Sequence, residues 1–143
     1  MTIILKPEKK EVLEKIDFVN KYRNLYNKHS DYNDRLRNYD IETVKEILKN
    51  FGYNGVRYYK SENFFKVDEA SKADTCKISF NISFDIGLCE FIWDGMPWRR
   101  YLSLLNADLS TIKKPAFHSY DELRDILSVA FEMYEDYKRE LYK

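Results

Sequence analysis

The nine residues from Cys76 to Phe84, CKISFNISF, alternate without exception. Cys76, Ile78, Phe80, Ile82 and Phe84 fall on one side of an extended chain, and Lys77, Ser79, Asn81 and Ser83 on the other. A period of two with one wet face is the pattern of an antiparallel strand covered on one side only. A turn near Asp85–Gly87 leads to a second such run, in which Cys89, Phe91 and Trp93 share one face and Leu88, Glu90 and Ile92 the other. Val56 to Tyr59 and Phe64 to Val67 are shorter strand candidates, with Lys60 to Asn63 able to turn between them.

Both ends of the chain follow the helical period instead. Pro7 to Lys28 reads as one long helix, opened by a proline suited to a first helical position, with the stripe Val12, Ile16, Val19, Tyr22 and Tyr26. His29 to Tyr39 is polar and rich in turn formers. Asp40 resembles an N-cap for a helix over Ile41 to Phe51, and Gly52 is its expected stop. Trp98 to Asn106 reads as a short helix. Ser119-Tyr-Asp-Glu122 has the form of a capping box ahead of a final helix, Tyr120 to about Tyr142. Helices at the ends and strands in the middle predict an α+β fold: an antiparallel sheet of about four strands, packed by N-terminal and C-terminal helices. At 143 residues this is one domain, 1–143, large enough to hold a core without metal or disulfide.

Composition excludes several function classes. Lys and Arg number 24 against 24 Asp and Glu, so a strongly basic nucleic-acid binder is not expected. The four glycines stand in no phosphate-loop spacing, and His29, His118, Cys76 and Cys89 lack the local spacing of a zinc site. No cofactor and no metal are therefore expected. The apolar run Ile3 to Leu5 is too short for a signal-peptide core, and no stretch approaches a membrane span, so a cytoplasmic chain with no membrane partner is expected. Cys76 and Cys89 then read as two small apolar residues of the sheet.

Catalytic constellations are sparse. The carboxylate pairs Asp68-Glu69, Asp121-Glu122 and Glu135-Asp136 are adjacent and so diverge on a helix or strand. His118 adjoins Ser119, but the serine is better placed as a helix cap, and His29 sits in a polar turn. Aromatic residues are more informative. Tyr58-Tyr59 and Phe64-Phe65 are adjacent on strands, so one of each pair points away from the core unless both faces are covered. Charge adds a direction: residues 61–95 hold 3 basic and 7 acidic side chains, net −4, within a neutral protein. An acidic aromatic surface suits a basic protein partner better than phosphates. Asp68, Glu69, Asp74, Asp85, Glu90 and Asp94 would supply charge, and Tyr59, Trp93 and Trp98 the anchors of a partner-binding face.

The segment Lys77 to Trp98, KISFNISFDIGLCEFIWDGMPW, combines an alternating strand, a turn, an aromatic strand and a D-G ahead of the second tryptophan. In size, layout and this segment the chain resembles the immunity proteins of bacterial polymorphic and contact-dependent toxin systems. The resemblance implies a non-enzymatic inhibitor that covers the active or substrate-binding surface of a cognate toxin, such as a nuclease. Two other readings stand beside it. One is a small hydrolase or nuclease using His118 with carboxylates. The other is a homodimerising regulatory domain, so both monomer and homodimer remain open.

Overall fold

The structure is a computed structural model that describes residues 6–33, 35–36, 39–53, 55–62, 64–67, 78–82, 87–93 and 96–141, with backbone course alone for 62 and 78–82. Among these described residues five helices, α1 (Pro7–Lys15), α2 (Phe18–Lys28), α3 (Ile41–Asn50), α4 (Trp98–Leu104) and α5 (Tyr120–Leu141), accompany five strands. The strands are β1 (Val56–Tyr59), β2 (Phe64–Val67), β3 (Ile78–Ile82), β4 (Cys89–Trp93) and β5 (Met96–Pro97), and a single 3-10 turn, Lys60–Glu62, links β1 to β2. The α+β class is as expected. The strand count differs: each strand pairs antiparallel with the next, in the order β1-β2-β3-β4-β5, and the fifth is two residues long.

The expected single helix over Pro7–Lys28 is two helices. Asp17 adopts φ 58 and ψ 46, in the left-handed region, so the chain stops at Lys15 and restarts at Phe18. Short polar residues tolerate that conformation best after glycine. The break re-phases the apolar stripe: Leu13 and Ile16 are buried before it and Phe18, Tyr22 and Leu25 after it, while Val12, Val19 and Tyr26 are only partly covered. Helix α4 ends by a related device. Asn106 takes φ 63, its N–H reaches Ser103 O at 3.0 Å, and the Ala107 N–H reaches Leu102 O at 2.9 Å. This is the Schellman arrangement, which satisfies the last carbonyls of a helix.

Other local expectations hold with changes of detail. Gly52 closes α3 at φ 97. Asp40 is the N-cap residue of α3, but its carboxylate accepts the Thr43 hydroxyl at 2.8 Å rather than a backbone N–H. Ser119 Oγ accepts the Glu122 N–H at 3.1 Å, one half of the capping box. The reciprocal half is displaced by one residue, because Glu122 Oε1 accepts the His118 N–H at 2.8 Å.

Register explains where the core lies. Tyr58 pairs with Phe65 and Val56 with Val67; Phe65 stands opposite position 80, and position 80 opposite Phe91. Phe65, Val67, Cys89, Phe91 and Trp93 are all buried on this inner face. All five helices add buried side chains to the same cluster, Leu13 from α1 and Val44, Ile47 and Leu48 from α3 among them. Trp93 stacks on Tyr137 of α5 at 4.2 Å, and Phe18 of α2 meets Trp93 at 5.4 Å and Trp98 at 5.5 Å. A segment before α5 closes the head of β4: the Cys89 N–H donates to Pro115 O at 2.9 Å, and Leu88 bridges Ala116.

Candidate functional site

Alternation along the strands sends every second side chain to the outer face of the sheet. Tyr59 of β1 and Phe64 of β2 stand opposite each other there, with ring centroids 6.0 Å apart. Tyr59 is 40% exposed, the exposed large hydrophobic side chain among the described residues. Phe64, Lys66, Glu90 and Ile92 on the same face are half-buried, and Arg57 is exposed. Glu90 is paired with Lys114 at 3.1 Å, so its charge is already partly offset within the chain. Strand β1 lies at the end of the sheet order, with β2 as its strand partner among the described residues.

Of the residues expected to meet a partner, Tyr59 and Glu90 therefore share this face. Trp93 and Trp98 do not, and their assignment as surface anchors is corrected. Both have 0% exposure. Their rings meet at 4.6 Å, and Phe91 packs on Trp98 at 4.8 Å. Trp93 follows the parity of Cys89 and Phe91 into the core, and Trp98 opens α4 immediately behind the sheet. Neither indole N–H has an acceptor among the described residues, a local cost set against a large buried area. Asp68, Glu69, Asp74, Asp85 and Asp94 lie outside the described residues, as does Cys76.

A second assembly was not expected from the sequence. His29, read as a residue of a solvated turn, is buried at 4% exposure. Its ring nitrogens face Glu122 Oε2 at 3.0 Å and Asp125 Oδ2 at 2.8 Å, both carried by α5. His118 is half-exposed, and its Nδ1 contacts the other oxygen of Glu122. His29 and Glu122 are separated by 93 positions, so no local pattern announces the pair. Among the described residues no group of three or more His, Cys, Asp and Glu side chains is arranged to hold a metal ion. A cleft of about 410 Å³ at the α1–α2 break is lined by Lys10, Leu13, Glu14, Asp17, Phe18, Val19, Leu105 and Asn106, away from both assemblies. Among the described residues no helix is long and apolar enough to cross a membrane.

Comparison with known proteins adds no relative: no family model, no curated protein and no solved structure matches the chain.

Proposed function

We propose that this chain is a non-enzymatic, cytoplasmic protein-binding inhibitor of the immunity-protein kind, one that neutralises a basic toxin domain by covering its active or substrate-binding surface. The observation that carries this reading is Tyr59, which is 40% exposed and backed by Phe64 at the β1 end of the sheet. Tyrosine is favoured at interface hot spots because it presents a large, stiff, amphipathic surface at low entropic cost. A strand at the end of a sheet can also accept an added strand from a partner. The acidic balance of residues 61–95 supports a basic partner, through faster encounter and a defined register. Asp68, Glu69, Asp74, Asp85, Glu90 and Asp94 are the charges assigned to that role.

The test is a tagged pull-down from the source culture, followed by co-expression of any stoichiometric partner. A partner that is toxic alone, neutralised by this chain and released by Tyr59→Ala supports the reading. A neutralising complex unaffected by Tyr59→Ala and by charge reversal of the six acids rejects the proposed face. Self-association without a partner favours the homodimer.

A second reading has one specific observation in its favour. His118 is half-exposed and its Nδ1 contacts Glu122, the arrangement in which a carboxylate orients a general base. That hydrolase reading requires turnover of a substrate ester or phosphodiester that is lost in His118→Ala, and undiminished turnover in that variant rejects it.

A further inference from the structure

His29 is the C-cap residue of α2, and among the described residues it is the buried polar side chain outside the hydrophobic core. Its two ring nitrogens are each aimed at a carboxylate, Nδ1 at Glu122 Oε2 (3.0 Å) and Nε2 at Asp125 Oδ2 (2.8 Å). Three positions apart on a helix, those carboxylates share one face of α5. An ionised carboxylate only accepts hydrogen bonds. Both nitrogens must therefore carry hydrogen, and the ring that satisfies this geometry is the imidazolium. A neutral ring donates from one nitrogen and turns the lone pair of the other toward a carboxylate oxygen, leaving a part-buried polar contact unmade.

Groups on neighbouring elements hold the two carboxylates as anions. Lys28 of α2 reaches Asp125 Oδ2 at 3.0 Å. Glu122 Oε1 accepts the His118 N–H at 2.8 Å and contacts His118 Nδ1. Burial works to raise the Glu122 carboxyl, but the hydrogen bonds from His29 and His118 outweigh it and leave the group below the usual carboxylate range. At Asp125 the Lys28 hydrogen bond leads, burial opposes it, and His29 adds to it, with the same net direction. The ionisable neighbour from the sheet is Cys89 of β4. Burial, and then the Glu122 charge, push its thiol up, so it stays neutral.

The ring also stands at a junction of backbone. His29 O accepts the Ala116 N–H at 2.7 Å. The same short segment donates from Phe117 to Gly87 O at 3.1 Å, and it accepts from Cys89 at Pro115 O and from Leu36 at Phe117 O. Residues 115–117 are thus a seam that joins the end of α2 to the head of β4.

We propose that His29, Glu122 and Asp125 form a proton-dependent latch on this seam, closed while the His29 ring carries both protons and released when it loses one. Rising pH opens the latch by removing a ring proton. Falling pH opens it only after the two carboxylates protonate, below the ordinary carboxylate range. The seam borders the sheet, so the latch couples the firmness of the head of β4 to the proton concentration around the chain.

The test follows the His29 ring by heteronuclear NMR across a pH series, alongside hydrogen exchange of the Ala116 amide corrected for the intrinsic rate. Both ring nitrogens should carry hydrogen wherever Ala116 is protected. Protection should fall by about ten-fold or more as the ring loses a proton, the scale of one hydrogen bond to a charged group. Glutamine in His29→Gln does not titrate, so the fall on the alkaline side should vanish. If that variant fails to fold, Asp125→Asn removes one anion from the ring at its more exposed end and should move the fall to lower pH. A singly protonated ring at a pH where Ala116 is protected overturns the proposal. So does protection indifferent to ring ionisation.

Discussion

The two faces of the sheet are built from alternate residues of the same strands, yet they belong to different environments. On the inner face Phe65, Val67, Cys89, Phe91 and Trp93 are buried in the core cluster that the helices complete. On the outer face Tyr59, Phe64, Lys66, Glu90 and Ile92 keep part of their surface in water. The strands carry the same hydrogen-bond ladders to both. What separates the faces is how much apolar area leaves water, and this is the quantity that governs stability. A side chain that contributes little to the fold is available for another purpose, and so the outer face is the reasonable place to look for recognition.

Truncation on the inner face is the strongest test of this contrast. Phe91→Ala removes a fully buried ring that packs on Trp98, and it should cost about 3–5 kcal/mol in denaturant unfolding. A cost below about 1 kcal/mol would mean that the inner face is not a core. Next come the glycines at positive φ. A Cβ at Gly87 would stand 2.9 Å from Leu36 O and 3.1 Å from Phe117 O, with φ at 57. A Cβ at Gly52 would meet nothing within 4 Å. Gly52→Ala should therefore cost about 1–2 kcal/mol, from backbone conformation alone. Gly87→Ala should cost more, about 3 kcal/mol, because backbone atoms must also move. Equal losses would show that the seam beside β4 yields easily.

An effect of similar size is expected from pH. A carboxyl held below its unfolded value contributes stability that is fully present above the unfolded value and is lost as pH falls through the folded one. Glu122 is such a group, so native stability should decline on the acid side of the ordinary carboxylate range. Glu122→Gln should flatten that decline and lower stability near neutral pH by about 1–3 kcal/mol. Acid titration of both proteins by circular dichroism checks it. Least of all, Tyr59→Ala should change stability by no more than about 0.5 kcal/mol. In a complex with the proposed partner the same substitution should weaken binding by about 2 kcal/mol or more. A large loss of stability in Tyr59→Ala would move that residue from the surface account to the core.

Alternation makes the strand faces legible in the sequence. The parity of Cys89, Phe91 and Trp93 placed them together, and they are together. Whether Trp93 belongs to a core or to a surface is not legible from residue type, because aromatic residues serve cores and interfaces alike. The break at Asp17 was hidden because apolar residues continue at spacings of three and four across it, and one left-handed residue leaves no mark in such a pattern. His29 was illegible for another reason. Its partners are 93 and 96 positions away, and only the return of α5 alongside the end of α2 brings them into reach. Local chemistry can be read along a chain, whereas a buried ion cluster depends on how distant segments meet.

Trp93 and Trp98 are the two tryptophans of the chain, and both lie inside one aromatic cluster with Tyr137, Phe91 and Phe18. Intrinsic fluorescence excited at the indole band is thereby a report on that cluster alone. It should emit from an apolar setting in the native protein and shift to the red when the core opens. A partner settling on the outer face touches neither ring and should leave the emission nearly unchanged. One optical signal then separates loss of fold from occupancy of the surface without any label being added.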